Sequence, residues 1–164
     1  MPFELPDNLH PDCGPVAWML GTWRGNGKGD YPTIEAFDYG QELIFTHDGR
    51  PFFHYMARSW IVDADGQKLR EGAIETGFLR CRGEGKVELL LTHHTGIAEI
   101  WYGEADGGKL ELTTDAVVRT ESAKEVTGGK RLYGNVEGDL LYAVDLAAVG
   151  QPLQPHLWAR LQRA

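Results

Sequence analysis

Six histidines, His10, His47, His54, His93, His94 and His156, carry the widest range of chemistry in this chain. A metal site built from protein alone needs three or four converging ligands. His93 and His94 are adjacent, so on a strand they point to opposite faces and cannot line one cavity. His47 sits in a turn signal and His10 in a loose N-terminal arm. A zinc enzyme gains little support. His156 is different. It lies in Pro152-Leu153-Gln154-Pro155-His156-Leu157-Trp158-Ala159-Arg160-Leu161, where two prolines restrict the approach of the chain. A lone histidine is more often a satisfied or exposed residue than a ligand. One neutral imidazole is nevertheless all that a haem iron needs from the protein on its proximal side. In a regular strand Leu157, Ala159 and Leu161 form the apolar face, and His156 falls on the other with Trp158 and Arg160. A bulge, a bend at Pro155 or a helical turn must intervene for His156 to face a cavity.

Other candidates are thinner. Thr33 follows Pro32 in an extended segment and reads as an ordinary strand threonine or a ligand contact. Lys124, in Ser122-Ala123-Lys124-Glu125-Val126, reads as a solvated lysine or as the partner of an anionic ligand group such as a propionate. There is no G-x-S-x-G elbow, and neither Cys13 nor Cys81 has a catalytic setting. Nothing singles out a pair of carboxylates.

The elements that must position these residues centre on Gly21-Thr22-Trp23-Arg24-Gly25-Asn26-Gly27-Lys28-Gly29-Asp30-Tyr31-Pro32-Thr33-Ile34. Read with a period of two, one face is wholly polar (Thr22, Arg24, Asn26, Lys28, Asp30). The other is glycine apart from Trp23. Such a strand is either a barrel corner or a cavity wall kept flat for something bulky. The spacing is not that of a dinucleotide loop, and no helix follows.

Turn signals recur from there onward: His47-Asp48-Gly49-Arg50, Asp63-Ala64-Asp65-Gly66, Gly83-Glu84-Gly85, Ala105-Asp106-Gly107-Gly108, Thr127-Gly128-Gly129 and Glu137-Gly138-Asp139. Between them lie runs rich in Val, Ile, Thr, Tyr, Phe and Trp. The fold class predicted is all-β, a meander of eight to ten strands. An up-and-down barrel is the first choice and a sandwich the second, since open edges aggregate. Residues 1–13 read as an irregular arm. Pro15–Leu20 reads as a short helical plug over one end of the barrel.

At 164 residues a single domain over 1–164 is expected. The net charge of −8 argues against nucleic acid or an anionic membrane as the main partner, because both need a basic face. The acidic total leaves room for a local basic spot, which Lys124, Lys130 and Arg131 could make. Two isolated cysteines read as free thiols, and with no signal-peptide pattern the cytoplasm is the expected address.

On these residues the sequence resembles the nitrobindin family of haem-binding β-barrels, sometimes described as peroxynitrite isomerases. Gly21, Trp23, Gly25 and Gly27 fit its G-x-W-x-G-x-G signature, and Tyr31-Pro32-Thr33-Ile34 continues it. Thr76-Gly77-Phe78-Leu79-Arg80, Thr95-Gly96-Ile97 with Glu99, Ala123-Lys124-Glu125-Val126, and Ala148-Val149-Gly150-Gln151-Pro152-Leu153 with His156-Leu157 follow in order. The resemblance implies a ten-stranded antiparallel barrel, shaped like fatty-acid-binding proteins and lipocalins. It implies one ferric haem b near an opening, with His156 as proximal iron ligand and Thr33 and Lys124 as haem contacts. It implies reversible nitric oxide binding and isomerisation of peroxynitrite to nitrate, with no catalytic residue beyond the iron. Ala73 stands where relatives often carry a pocket histidine. A mostly apolar distal side, favouring nitric oxide over stabilised dioxygen, is expected. The competing reading is a haem-free barrel carrying an apolar metabolite such as a fatty acid, and a sensor module ranks third. Oligomeric state is not legible.

Overall fold

The computed structural model describes residues 3–164. A 3-10 helix, Pro11–Met19, precedes ten strands. These are β1 (Gly21–Tyr31), β2 (Ile34–Thr46), β3 (Phe52–Val62), β4 (Lys68–Cys81), β5 (Lys86–His93), β6 (Ile97–Asp106), β7 (Lys109–Arg119), β8 (Val126–Val136), β9 (Asp139–Ala148) and β10 (Gln154–Arg163). Each pairs antiparallel with its neighbour in sequence, and β1 pairs with β10 to close the barrel. Closure leaves no edge to template aggregation. No described helix is long and apolar enough to cross a membrane.

A closed meander sorts its connections by parity. The β1–β2, β3–β4, β5–β6, β7–β8 and β9–β10 connections share one end, and the other four share the opposite end. The helix plugs the second end. It begins at Pro11, four residues before the predicted start. The His10 side chain accepts from the Asp12 N–H, and Pro15 denies the α-helical bonding pattern, so the turn stays tight. Its Met19 enters a layer with Phe45, Leu79, Leu89, Leu110 and Leu112, and its carbonyl accepts the Trp23 indole N–H. Cys13 and Cys81 meet at this plug as buried free thiols, and burial pushes both upward.

The period-two reading of β1 holds along its length, with Trp23, Gly27, Gly29 and Tyr31 buried and Arg24, Asn26, Lys28 and Asp30 exposed. The glycine face is not bare to the cavity. A Cβ on Gly25 would meet the backbone of β10 at Arg160 and Leu161. One on Gly27 would meet the Tyr39 ring, and one on Gly29 the Phe37 ring. The glycines thus let two aromatic rings of β2 lean across β1.

One turn signal fails. Thr127-Gly128-Gly129 lies inside β8, at a register shift between Val126 and Gly128, and the β7–β8 connection is residues 120–125. Gly129 makes room for the Trp101 ring, so its role is packing rather than turning.

Gly29→Ala should cost about 1–3 kcal/mol in urea unfolding, as overpacking does. The cost should shrink when Phe37→Ala is added, because the Phe37 ring holds the nearest atoms to the new methyl. Strict additivity of the two changes would show that the ring does not fill the space over Gly29.

Candidate functional site

The interior of the barrel is layered. Next to the plug it is apolar, built from Trp23, Leu43, Phe53, Leu79, Leu110, Leu140 and Leu161, all almost fully buried. Above this lies a polar layer. Glu75 on β4 and Arg131 on β8 form a two-pronged ion pair, Nη1 to Oε1 and Nη2 to Oε2 at 2.8 Å each. The two strands stand four places apart in a ring of ten, so the pair spans the lumen. Arg131 is 7% exposed, and its guanidinium sits 5.0 Å from the centroid of the Trp101 ring. The sequence reading of Arg131 as part of a basic surface spot is therefore wrong: it faces inward, while Lys124 and Lys130 are exposed.

Tyrosines surround the pair. Tyr55 donates to Glu75 Oε1 at 2.7 Å, and Arg131 Nη1 donates to the Tyr133 hydroxyl at 3.1 Å. The Tyr39 and Tyr142 hydroxyls lie 2.7 Å apart, and Tyr142 donates to Gln41 Oε1. His93 joins from the open side, with Nδ1 3.4 Å from Glu75 Oε2 and Nε2 against Glu99. His94 faces away, accepting from the Ile74 N–H. The predicted divergence of this histidine pair holds.

Electrostatics follow from the pairing. Burial alone would raise the Glu75 carboxyl, but the charge and hydrogen bonds of Arg131 win and hold it near pH about 2. Burial drives the phenols of Tyr39 (to about 12), Tyr55 and Tyr142 upward, keeping them protonated as donors.

Above the polar layer a cavity of about 190 Å³ opens toward the unplugged end. Its floor carries Gln41, Glu75, Arg131, Tyr55, Tyr133 and Tyr142, and its walls carry Phe37, Ile61, Ala73, His156 and Leu157. The expectation of a mostly apolar pocket is overturned at the floor and met on the walls.

His156 reaches this cavity because of two strand irregularities. The β9–β10 register shifts between Pro155 and Leu157, so His156 is an extra residue with no partner on β9. Both His156 and Leu157 can then face inward. The β1–β2 register shifts between Gly29 and Tyr31, where β2 sets two residues, Glu35 and Ala36, against Asp30, which is left without a partner on that ladder. The imidazole Nδ1 lies 3.0 Å from the Asp30 carbonyl. A carbonyl only accepts, so Nδ1 carries the proton and Nε2 keeps its lone pair. Among the described residues no hydrogen bond engages Nε2. The Tyr31 ring meets the imidazole edge-on at 5.3 Å, and its hydroxyl is tied to β9, donating to the Leu146 carbonyl and accepting from the Ala148 N–H.

These features suit a haem iron. The imidazole is neutral, oriented and half-buried, and it is held by a second group as metal-ligating histidines are. The cavity is smaller than an enclosed ligand pocket, so a macrocycle would be held in the mouth. Thr33 lies in the β1–β2 turn and Lys124 in the β7–β8 connection, both exposed and both at the open end. Neither lines the cavity. The residues that sequence reasoning missed are Gln41, Tyr39, Tyr55, Glu75, Arg131 and Tyr142. Their only signal was inward parity on their strands.

A family model described as "THAP4-like, heme-binding beta-barrel domain" matches residues 12–163. The chain belongs to this haem-binding β-barrel family. It is 82% identical over 163 residues to a protein of Nocardioides sp. named peroxynitrite isomerase, covering 99% of each chain. It is 46% identical over 166 residues to a ferric nitrobindin-like protein of Cutibacterium acnes, covering 100% of each. The solved structure of Rv2717c from M. tuberculosis is 40% identical and superposes with a TM-score of 0.83, over 95% of this chain and 99% of that one. The family resemblance read from the sequence is thereby confirmed, as is the ten-stranded barrel with one short N-terminal helix.

Removing one partner of the cross-lumen pair, as in Glu75→Ala or Arg131→Ala, should cost roughly 3–5 kcal/mol in denaturant unfolding, because a buried charge is left alone. Replacing both, Glu75→Leu with Arg131→Met, should cost less than either single change. A double variant as unstable as the sum of the singles would contradict this account.

Burial pulls the His156 imidazole down from 6.5, against the opposing pull of the Asp30 carbonyl. Its NMR titration midpoint in the haem-free chain should therefore lie below 6.5. In that window the unfolded chain binds more protons, so this histidine's contribution to stability is full above 6.5 and is lost as pH falls through the folded midpoint. A midpoint above 6.5 would mean that the Asp30 contact outweighs burial.

Proposed function

We propose that this chain binds one ferric haem b, takes up nitric oxide, and isomerises peroxynitrite to nitrate, with His156 as the proximal iron ligand. The observation that carries the reading is the His156 imidazole, its Nδ1 committed to the Asp30 carbonyl and its Nε2 free at the cavity. The names of the relatives support the choice of reaction. When bound, haem would supply a Lewis-acidic iron able to take nitric oxide or polarise the peroxynitrite O–O bond.

The chain's own residues do the rest. Asp30 fixes the tautomer, and Tyr31 limits rotation of the ring. Phe37, Ile61 and Leu157 exclude water from the walls. Ala73 stands on β4, four places round the barrel from β10, and leaves that wall without an imidazole. The polar floor offers protein hydrogen bonds to a small oxyanion, which the apolar-pocket expectation lacked. We assign Thr33 and Lys124 to the part of the haem that stays outside the barrel. There Lys124 would face a propionate.

The fatty-acid reading has less support. The plugged half of the lumen is filled by side chains, and the cavity floor is charged and hydroxylated. Neither suits a long acyl chain.

Haem titration followed by absorption tests the proposal on wild type beside His156→Ala. Wild type should give a saturable Soret band, His156→Ala should lose or shift it, and added imidazole should restore it. Identical spectra for the two proteins, or no band in either, would remove iron ligation by His156.

A further inference from the structure

Four phenols line the cavity in which the proposed reaction takes place. They are not equivalent. Tyr39 and Tyr142 bond to each other, Tyr142 donates to the neutral Gln41 amide, and Tyr39 reaches the Trp158 carbonyl. Tyr133 accepts from the Arg131 guanidinium, whose positive charge opposes removal of an electron. Among the described residues, Tyr55 is the one phenol that donates to a carboxylate, at 2.7 Å. That geometry suits proton transfer, since 2.6–3.2 Å is the reach of a working base. Arg131 keeps the carboxylate ionised and ready to accept.

A second path leads onward. The other Glu75 oxygen lies 3.4 Å from His93 Nδ1, and the far nitrogen of His93 meets Glu99 at the open end of the barrel. A proton placed on Glu75 therefore has a neighbour to pass to. Hydrogen bonding to an oxyanion accounts for the donors of the floor but not for a carboxylate placed to accept from Tyr55, and burying such a group is costly.

We propose that Tyr55, with Glu75 as its proton acceptor, is a built-in one-electron donor that intercepts nitrogen dioxide radicals released from peroxynitrite inside the cavity. The identity of the oxidant rests on the reaction proposed above; the donor pair does not. In the step, the Tyr55 O–H bond breaks. The proton passes to Glu75 Oε1, the electron passes to nitrogen dioxide, and the products are a Tyr55 phenoxyl radical and nitrite. A phenol that loses an electron becomes a strong acid, so even a carboxylate held near about 2 accepts its proton. A second nitrogen dioxide couples with the phenoxyl radical to leave 3-nitrotyrosine. Tyr55 is thus also a modification site.

The test uses the full chain, with and without haem, and nitrogen dioxide made radiolytically from nitrite, so that neither peroxynitrite nor iron is needed. Peptide mapping by mass spectrometry locates the nitration, and electron paramagnetic resonance reports the radical. Accessibility alone favours Tyr102, which is 48% exposed on the outer face. Nitration at Tyr55 should exceed that at Tyr102 several-fold in wild type. Tyr55→Phe should lose most of the radical signal, and Glu75→Gln should cut Tyr55 nitration several-fold. Nitration that follows exposure, with Tyr102 first, would overturn the proposal. So would a Tyr55 yield unchanged in Glu75→Gln. The wild-type ratio of the two sites needs no variant to fold. Absence of isomerase activity would remove the preceding reading and leave this ratio unaffected.

Discussion

One ion pair divides this barrel. Glu75 and Arg131 meet across the lumen, from strands on nearly opposite sides, and the layer beneath them is packed with apolar side chains. Burying two charges is expensive, and a well-packed apolar pair of the same volume would often be as stable. The pair is better understood as a partition. It stops side chains from the plugged end short of the open end and gives the remaining space a polar floor. Tyr55, Tyr133 and His93 contact it directly, and Tyr39, Tyr142 and Gln41 form a second hydrogen-bonded group in the same layer.

The site above the floor depends on irregularity rather than on regular strand. Two strands each carry one residue too many: β10 at His156, and β2 at Glu35 and Ala36, opposite Asp30 of β1. Because β1 and β10 pair in register up to Gly29 and Leu157, Asp30 and His156 fall side by side just beyond the last pair. A backbone carbonyl freed from one ladder then meets the imidazole freed from the other. Neither bulge alone would orient the ring.

The fold was largely legible because its signals are local. Turn chemistry and two-residue periodicity are written over a few residues, and closure follows from the number of strands. The errors were also local in origin. Thr127-Gly128-Gly129 looks like a turn because glycine serves both turns and close packing, and only the Trp101 ring, far away in sequence, separates the two. The helix start was misplaced because Pro11 and Pro15 suit a 3-10 helix as well as an irregular arm. The site was legible only in part. His156 stood out by its flanking prolines, but its inward aim depends on a register shift that only the pairing with β9 reveals. Arg131 beside Lys130 reads as surface charge, since nothing nearby announces a partner 56 residues away. Parity says which way a side chain points, not what stands across the lumen.

The parity of the meander has a further consequence for how the barrel can be joined to other things. The last strand ends where the first begins, with the Ala164 N–H bonded to the Thr22 carbonyl and Arg163 bonded to the carbonyls of Trp18 and Leu20. The described start of the chain leads into the helix at that same end. Both attachment points thus lie on the plugged base, a barrel's length from the mouth. Any module fused in front of or behind this barrel would leave the opening clear.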